Sequence, residues 1–128
     1  MKTLLLVALA CAAVIGCRRL RSSSEGDLAP AAAAELAARP GTLVLDVRTP
    51  EENARGRLKG ARLIPLGELE DRLGDLPQDK STPILVYCAA GGRSSRAASL
   101  LRARGYAGIF NLSGGIAAWQ DSGLPIEP

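Results

Sequence analysis

One cysteine in the second half of the chain has the surroundings of a reactive nucleophile. Cys88 follows the apolar run 84–87 and precedes the small-residue stretch 89–92, after which Arg93 and Ser94 begin a helical pattern. A loop of small residues at a helix N-terminus can direct several backbone N–H groups at one point, where they favour an anion. The same groups lower the pKa of a cysteine placed among them. The pattern therefore predicts a thiolate at Cys88.

The alternative is that Cys88 is a small apolar residue that closes a buried strand, but the glycines and the helix that follow it favour a functional cysteine. Arg93 carries a permanent positive charge that suits an oxyanion. It could equally be a solvated residue at a helix start, or pair with an acid such as Asp46. The chain has no histidine, which excludes a Cys-His or Ser-His-Asp pair and any histidine-ligated metal.

The elements that must position Cys88 alternate between strand and helix patterns. Apolar strand patterns cover residues 42–45, 63–65, 84–87 and 109–112. Helical patterns cover residues 31–39 and 95–104. Three further helices are predicted: one that begins at Thr49-Pro50, one from the spacing of Leu66, Leu69 and Leu73, and a short one that contains Trp119. This alternation predicts an α/β fold with a parallel sheet of about five strands and helices on both faces. Ligands of such sheets bind beyond the carboxyl ends of the strands, which is where Cys88 lies.

The first residues of the chain have the pattern of a secretory signal: Lys2 is followed by an uncharged apolar run over 4–16. That run reaches only about 20 Å as a helix, against roughly 30 Å for a hydrocarbon core. Residues 14–17 resemble the lipobox of bacterial lipoproteins, which implies that Cys17 becomes lipidated. We therefore expect a signal peptide over 1–17, a linker over 18–27 and a domain over 28–128, held on the periplasmic side by a lipid.

Positive charge argues for a different arrangement of the same segment. Arg18, Arg19 and Arg21 directly follow the apolar run, and basic residues there oppose translocation. The alternative is an uncleaved N-terminal anchor with the domain in the cytoplasm. The net charge of +3 comes mainly from this region, because acids and bases nearly cancel from Leu28 onward. We therefore expect no nucleic-acid partner.

The domain resembles a single-domain rhodanese, through several motifs in the family's order. They are Leu45-Asp46-Val47-Arg48, Glu51-Glu52, the run 56–61 before Ile64-Pro65, Val86-Tyr87-Cys88 with its loop, Leu101 with Gly105-Tyr106, and Leu112-Ser113-Gly114-Gly115 with Trp119. The resemblance implies that Cys88 becomes a persulfide and that Asp46 and Arg48 form a supporting polar pair. It also implies that the transferred sulfur and its donor are bound by Ala89, Ala90, Gly91, Gly92, Arg93 and Ser94.

The reaction implied by the resemblance is sulfur transfer without a metal or organic cofactor. The Cys88 thiolate takes the outer sulfur of a small anion, thiosulfate or a persulfide, and passes it to cyanide or to a thiol, such as that of a thioredoxin-like protein. Two departures from the family are visible. Arg57 stands where histidine is usual, and Ala89-Ala90 replace the basic or polar side chains of many thiosulfate-using members.

Two other functions are compatible with a rhodanese-like domain. One is a non-catalytic module that binds a protein partner, although such a module does not need the cysteine or its small-residue loop. The other is a phosphatase or arsenate reductase, whose loops have one residue more between the cysteine and the arginine. Cys88 and Arg93 have four residues between them, which favours the sulfurtransferase.

Overall fold

Residues 26–128, which the computed structural model describes, contain one parallel sheet of five short strands. The strands are β1 (Asp27–Leu28), β2 (Leu43–Asp46), β3 (Arg62–Leu63), β4 (Ile84–Tyr87) and β5 (Ile109–Leu112). Their order across the sheet is β1-β5-β4-β2-β3. The strand that leads to Cys88 is therefore the central one.

Helices connect these strands and cover both faces of the sheet. They are α1 (Pro30–Ala38), α2 (Pro50–Ala54), α3 (Leu66–Leu69), α4 (Gly92–Ala103) and α5 (Gly115–Asp121), with a 3₁₀ turn at Leu73–Asp75. The predicted α/β fold is confirmed. None of the helices within residues 26–128 has the length and apolar character needed to cross a membrane.

The two faces of β4 supply two separate hydrophobic clusters, because successive side chains of a strand point to opposite sides. Ile84, Val86 and Cys88 pack against α3 and α4. Leu85 and Tyr87 pack against α1 and α5. All five are buried. A strand buried on both faces explains why β4 has the most continuous apolar sequence in the domain.

The sequence locates four of the strands and misses β1. Asp27, assigned to the linker, instead pairs in register with Asn111 of β5, and Leu28 pairs with Leu112. Two residues are too few for a period-2 pattern to be recognised. The predicted strand over 63–65 lies slightly earlier, at Arg62–Leu63. Proline has no N–H to donate, so Pro65 cannot extend the ladder.

The single helix predicted from the spacing of Leu66, Leu69 and Leu73 is wrong. Four residues of α3 are followed by a turn and then by the 3₁₀ turn. Gly67 and Gly74 lower helix propensity in this segment. The apolar spacing still serves the core, since Leu69 is buried and Leu66 and Leu73 pack against the same cluster.

Candidate active site

Cys88 lies immediately after β4, at the carboxyl edge of the sheet, and is 1% exposed. Its sulfur accepts a hydrogen bond from the backbone N–H of Gly91 at 3.0 Å. The hydroxyl of Ser94, which is also buried, lies 3.3 Å from the sulfur. The loop therefore curls back on the cysteine, as its small residues predict.

The curl depends on Gly91, which precedes the first residue of α4 with a φ of 107°. Residues with a side chain rarely adopt this left-handed conformation, so glycine is favoured here. The turn brings the first N–H groups of α4 toward the sulfur. Ala89 and Ala90 add no polar side chain to the loop.

The electrostatics of the loop favour the thiolate. Burial raises the pKa of Cys88, but the side chain of Ser94 and the backbone N–H groups of Ser94, Gly91 and Ala90 lower it by more. The resulting pKa lies below that of an ordinary thiol. These groups stabilise the anion without an imidazole, as expected for a chain without histidine.

The hydroxyl of Ser94 can serve both protonation states of the sulfur. Its oxygen lies 3.3 Å from Cys88 Sγ and 3.2 Å from the carbonyl oxygen of Gly91. A hydroxyl has a single proton to donate. With a thiolate it donates to the sulfur; with a thiol it accepts the S–H and donates to Gly91.

The N-terminal end of α5 holds the first half of the loop. The N–H groups of Ile116 and Ala117 donate to the carbonyl oxygens of Cys88 and Ala89, at 2.9 and 3.2 Å. Gly115 makes this approach possible, because a Cβ there would lie 2.5 Å from the Cys88 oxygen. The sequence names Gly115 within a family motif but assigns it no role at the site.

Arg93 pairs with Glu52 and not with Asp46. Its Nη1 and Nη2 donate to the two carboxylate oxygens of Glu52 at 2.7 and 2.8 Å. The alternative that Arg93 pairs with an acid is therefore confirmed, although the acid is Glu52 and not Asp46. Asp46 is 0% exposed and already pairs with Arg48. Whether Arg93 also contacts a donor stays a prediction.

Glu52 is a second residue of the site to which the sequence assigns no role there. In the sequence it belongs to the Glu51-Glu52 family motif. In the structure it lies in the first turn of α2, where the N–H of Thr49 donates to it at 3.3 Å and completes a capping box. The hydrogen bonds from Arg93 are the main cause that lowers the pKa of Glu52 to about 2. The carboxylate is therefore negative at any physiological pH.

Asp46 and Arg48 form the ion pair that the resemblance implies. Arg48 Nη2 lies 2.8 Å from Asp46 Oδ2, and Arg48 also donates to the carbonyl oxygen of Gly56. The same carboxylate oxygen of Asp46 accepts from Asn53 and from the hydroxyl of Tyr87, both at 3.0 Å. Tyr87 directly precedes Cys88, so this buried network holds the chain at the base of the loop.

The structure brings together Cys88, the loop from Ala89 to Ser94, and the Asp46–Arg48 pair at one edge of the sheet. Adjacent strands β2 and β4 run parallel, so the residues that follow them meet there. The predicted signal segment 1–17 and its lipidation residue Cys17 lie outside the described residues. The arrangement can hold a negatively charged sulfur in a nest of N–H donors.

The chain is similar to proteins of known family. The Rhodanese-like domain family matches residues 29–122. A protein named Sulfurtransferase from Allochromatium vinosum is 39% identical over 84 residues, 66% of this chain and 77% of that protein. Thiosulfate sulfurtransferase PspE of Escherichia coli is 37% identical over 70 residues, 55% of this chain and 67% of that one.

A solved structure has the same architecture. The crystal structure of a rhodanese-related protein from Thermoplasma volcanium superposes with a TM-score of 0.72 at 31% identity, covering 80% of this chain and 97% of that one. The family match spans most of the domain, including the cysteine loop and the Asp46–Arg48 pair. The chain therefore belongs to the rhodanese-like domain family.

Proposed function

We propose that this protein is a sulfurtransferase that carries a sulfane sulfur as a persulfide on Cys88. The observation that carries the proposal is the sulfur of Cys88 held by the N–H of Gly91 at 3.0 Å, with a pKa below that of an ordinary thiol. A thiolate at neutral pH is the form that attacks a sulfur–sulfur bond. The named relatives point to the same reaction class.

The donor half-reaction needs a sulfane sulfur bonded to a good leaving group. The Cys88 thiolate attacks the outer sulfur of thiosulfate or of a persulfide. A new sulfur–sulfur bond forms at Cys88, the old one breaks, and sulfite or a thiolate leaves with its electron pair. The N–H groups that hold the thiolate would also stabilise the terminal sulfur anion of the persulfide.

The acceptor half-reaction returns the enzyme to its starting state. Cyanide, or a thiolate such as that of a thioredoxin-like protein, attacks the outer sulfur of the persulfide. Thiocyanate or an acceptor persulfide leaves, and Cys88 is again a thiolate. Two half-reactions through a covalent intermediate predict ping-pong kinetics. No cofactor enters this scheme.

The test is thiosulfate:cyanide transfer by the purified protein, with Cys88→Ser as the matched variant. Thiosulfate alone should add about 32 Da, one sulfur atom, to the peptide that contains Cys88. The serine variant should show neither the mass gain nor turnover. A wild-type protein that gains no sulfur from thiosulfate or from cysteine persulfide, and shows no turnover, would instead support a binding module. Hydrolysis of a chromogenic phosphate ester without sulfur transfer would support a phosphatase, and arsenate reduction without it an arsenate reductase.

We also propose that the domain is exported and held at the membrane through a lipid on Cys17. The support is the lipobox resemblance at residues 14–17 and the polar segment that follows. Metabolic labelling with a fatty acid should mark the wild type and not Cys17→Ser. Unlabelled protein in the membrane fraction, with its N-terminus uncleaved, would support the alternative of an anchor with a cytoplasmic domain.

A further inference from the structure

We infer that Glu52 selects the charge of the sulfur donor: by neutralising Arg93 it favours donors with one negative charge, such as thiol persulfides and thiosulfonates, over the dianion thiosulfate. The inference rests on the proposed function of Cys88 and names the substrate class of that site. Its starting point is the bidentate contact between Glu52 and Arg93 at 2.7 and 2.8 Å.

Two arginines at the site are each paired with a carboxylate. Arg93 lies against Glu52, and Arg48 lies against the buried Asp46. The loop residues Ala89 and Ala90 contribute no charge of their own. A donor that approaches the Cys88 thiolate therefore meets its negative charge without an uncompensated cation from these pairs. Each further negative charge on the donor weakens its binding.

Turning the two Nη groups of Arg93 toward a donor would break their hydrogen bonds to Glu52. Two parallel charge-assisted hydrogen bonds between a guanidinium and a carboxylate are stronger than ordinary ones and fix both groups. Glu52 is held in turn by the capping box with Thr49. Hydrogen bonds from Arg93 also lower the pKa of Glu52 to about 2, so its carboxylate stays ionised at neutral pH.

The chemistry of the first half-reaction makes this charge matter. With thiosulfate, the thiolate and a dianion must share one transition state, and sulfite leaves as a dianion. With an ionised persulfide, R–S–S⁻, the same sulfur–sulfur bond forms at Cys88 and the thiolate R–S⁻ leaves. The second reaction brings one negative charge fewer to the loop. A site with a neutralised arginine suits it better.

The experiment compares donors that differ in charge. Rapid-quench mass spectrometry measures the rate constant for sulfur loading of Cys88 by thiosulfate, methanethiosulfonate and cysteine persulfide. The purified wild type is tested beside Glu52→Gln, which removes the charge while glutamine can still complete a capping box. Glu51→Gln is the matched control, because Glu51 is the neighbouring exposed carboxylate on the same helix.

The wild type should load faster from cysteine persulfide than from thiosulfate. For a donor charge assumed to lie about 6 Å from the carboxylate, Coulomb's law in water gives about a threefold change in rate per unit of donor charge. Glu52→Gln should thus raise the rate constant for sulfur loading about tenfold with thiosulfate and about threefold with methanethiosulfonate. The ratio of the loading rate constant with thiosulfate to that with methanethiosulfonate therefore rises. Partial unfolding cannot change this ratio, because both donors act on the same preparation.

Three results would overturn the inference. In the first, Glu52→Gln leaves the ratio of the thiosulfate and methanethiosulfonate rate constants unchanged. In the second, Glu51→Gln raises this ratio as much as Glu52→Gln does. The third is wild-type loading from thiosulfate as fast as from cysteine persulfide. In these three cases the proposed function survives, because Cys88 still gains sulfur. No gain from any donor overturns the proposed function and the inference together.

Discussion

Gly115 lies so close to the backbone of Cys88 that a Cβ at this position would stand 2.5 Å from the Cys88 carbonyl oxygen. The same atom would meet the carbonyl group of Ala89 at equal distance. Gly115 also has a φ of +65°. The first turn of α5 and the start of the cysteine loop are thus fitted to each other through backbone atoms alone.

Gly115→Ala should therefore destabilise the domain and displace the loop. The clash and the left-handed backbone together should lower the free energy of unfolding by about 2–3 kcal/mol. Urea unfolding measures the loss. Gly67→Ala is the control, since Gly67 is exposed in α3 with no atom within 4 Å of an added Cβ. Equal stability of the two variants would contradict the close fit.

Ser94→Ala should move the reactivity of Cys88 to higher pH. The Ser94 hydroxyl is the first of the groups that lower the pKa of the thiol, so its loss raises that pKa and reduces the thiolate fraction at neutral pH. The measurement is the pH dependence of iodoacetamide alkylation, followed on the peptide that contains Cys88. Ser95→Ala, which removes an exposed hydroxyl one residue further on, should leave the profile in place.

An unchanged profile in Ser94→Ala would mean that the backbone N–H groups hold the thiolate without the hydroxyl.

Acid should weaken the wild-type protein more than Glu52→Gln. Arg93 lowers the pKa of Glu52 from 4.5 to about 2. A carboxylate with a lowered folded pKa stabilises the fold above its unfolded pKa, and that stability is lost as the pH falls toward 2. Because both side chains are partly exposed, we expect a loss of only about 1 kcal/mol.

Urea titration should measure the free energy of unfolding at about pH 6 and about pH 3, which lie on either side of the pKa of an unfolded glutamate. Parallel losses in the wild type and Glu52→Gln would show that the ion pair contributes no stability.

Asp46→Asn should be strongly destabilising. The substitution leaves the guanidinium of Arg48, 5% exposed, without its counter-charge. Breaking one partner of a buried ion pair costs about 3–5 kcal/mol. Thermal or urea unfolding would measure it, with Asp71→Asn as the control at an exposed carboxylate. A loss below about 1 kcal/mol would show that the side-chain amide oxygen at position 46 and the carbonyl oxygen of Gly56 satisfy Arg48 without a counter-charge.

The candidate nucleophile was predictable because its signals are local. The buried strand before Cys88, the small residues after it and the helix after those all lie within a few positions of one another. Strand period and helix-start chemistry act over such short distances. The exact end of β5 at Leu112 follows from the same kind of pattern.

The α3 segment shows where local patterns fail. Leu66, Leu69 and Leu73 have helical spacing and do reach one core, yet the backbone between them turns. Apolar spacing reports which side chains are buried, and several backbone paths can bury the same three leucines. The two-residue β1 shows the complementary failure, since its place is set by pairing with Asn111 and Leu112 of a distant strand.

The sequence by itself predicted that a cysteine with a lowered pKa follows a buried strand of a parallel sheet, because neighbouring residues carry that information. Tertiary structure alone decided which acid neutralises Arg93. Glu52 lies 41 positions away, and it meets the arginine only because β2 and β4 are adjacent and parallel, so that the residues following each strand converge at one edge. The charged residues can be counted from a sequence, but the fold determines which of them form pairs.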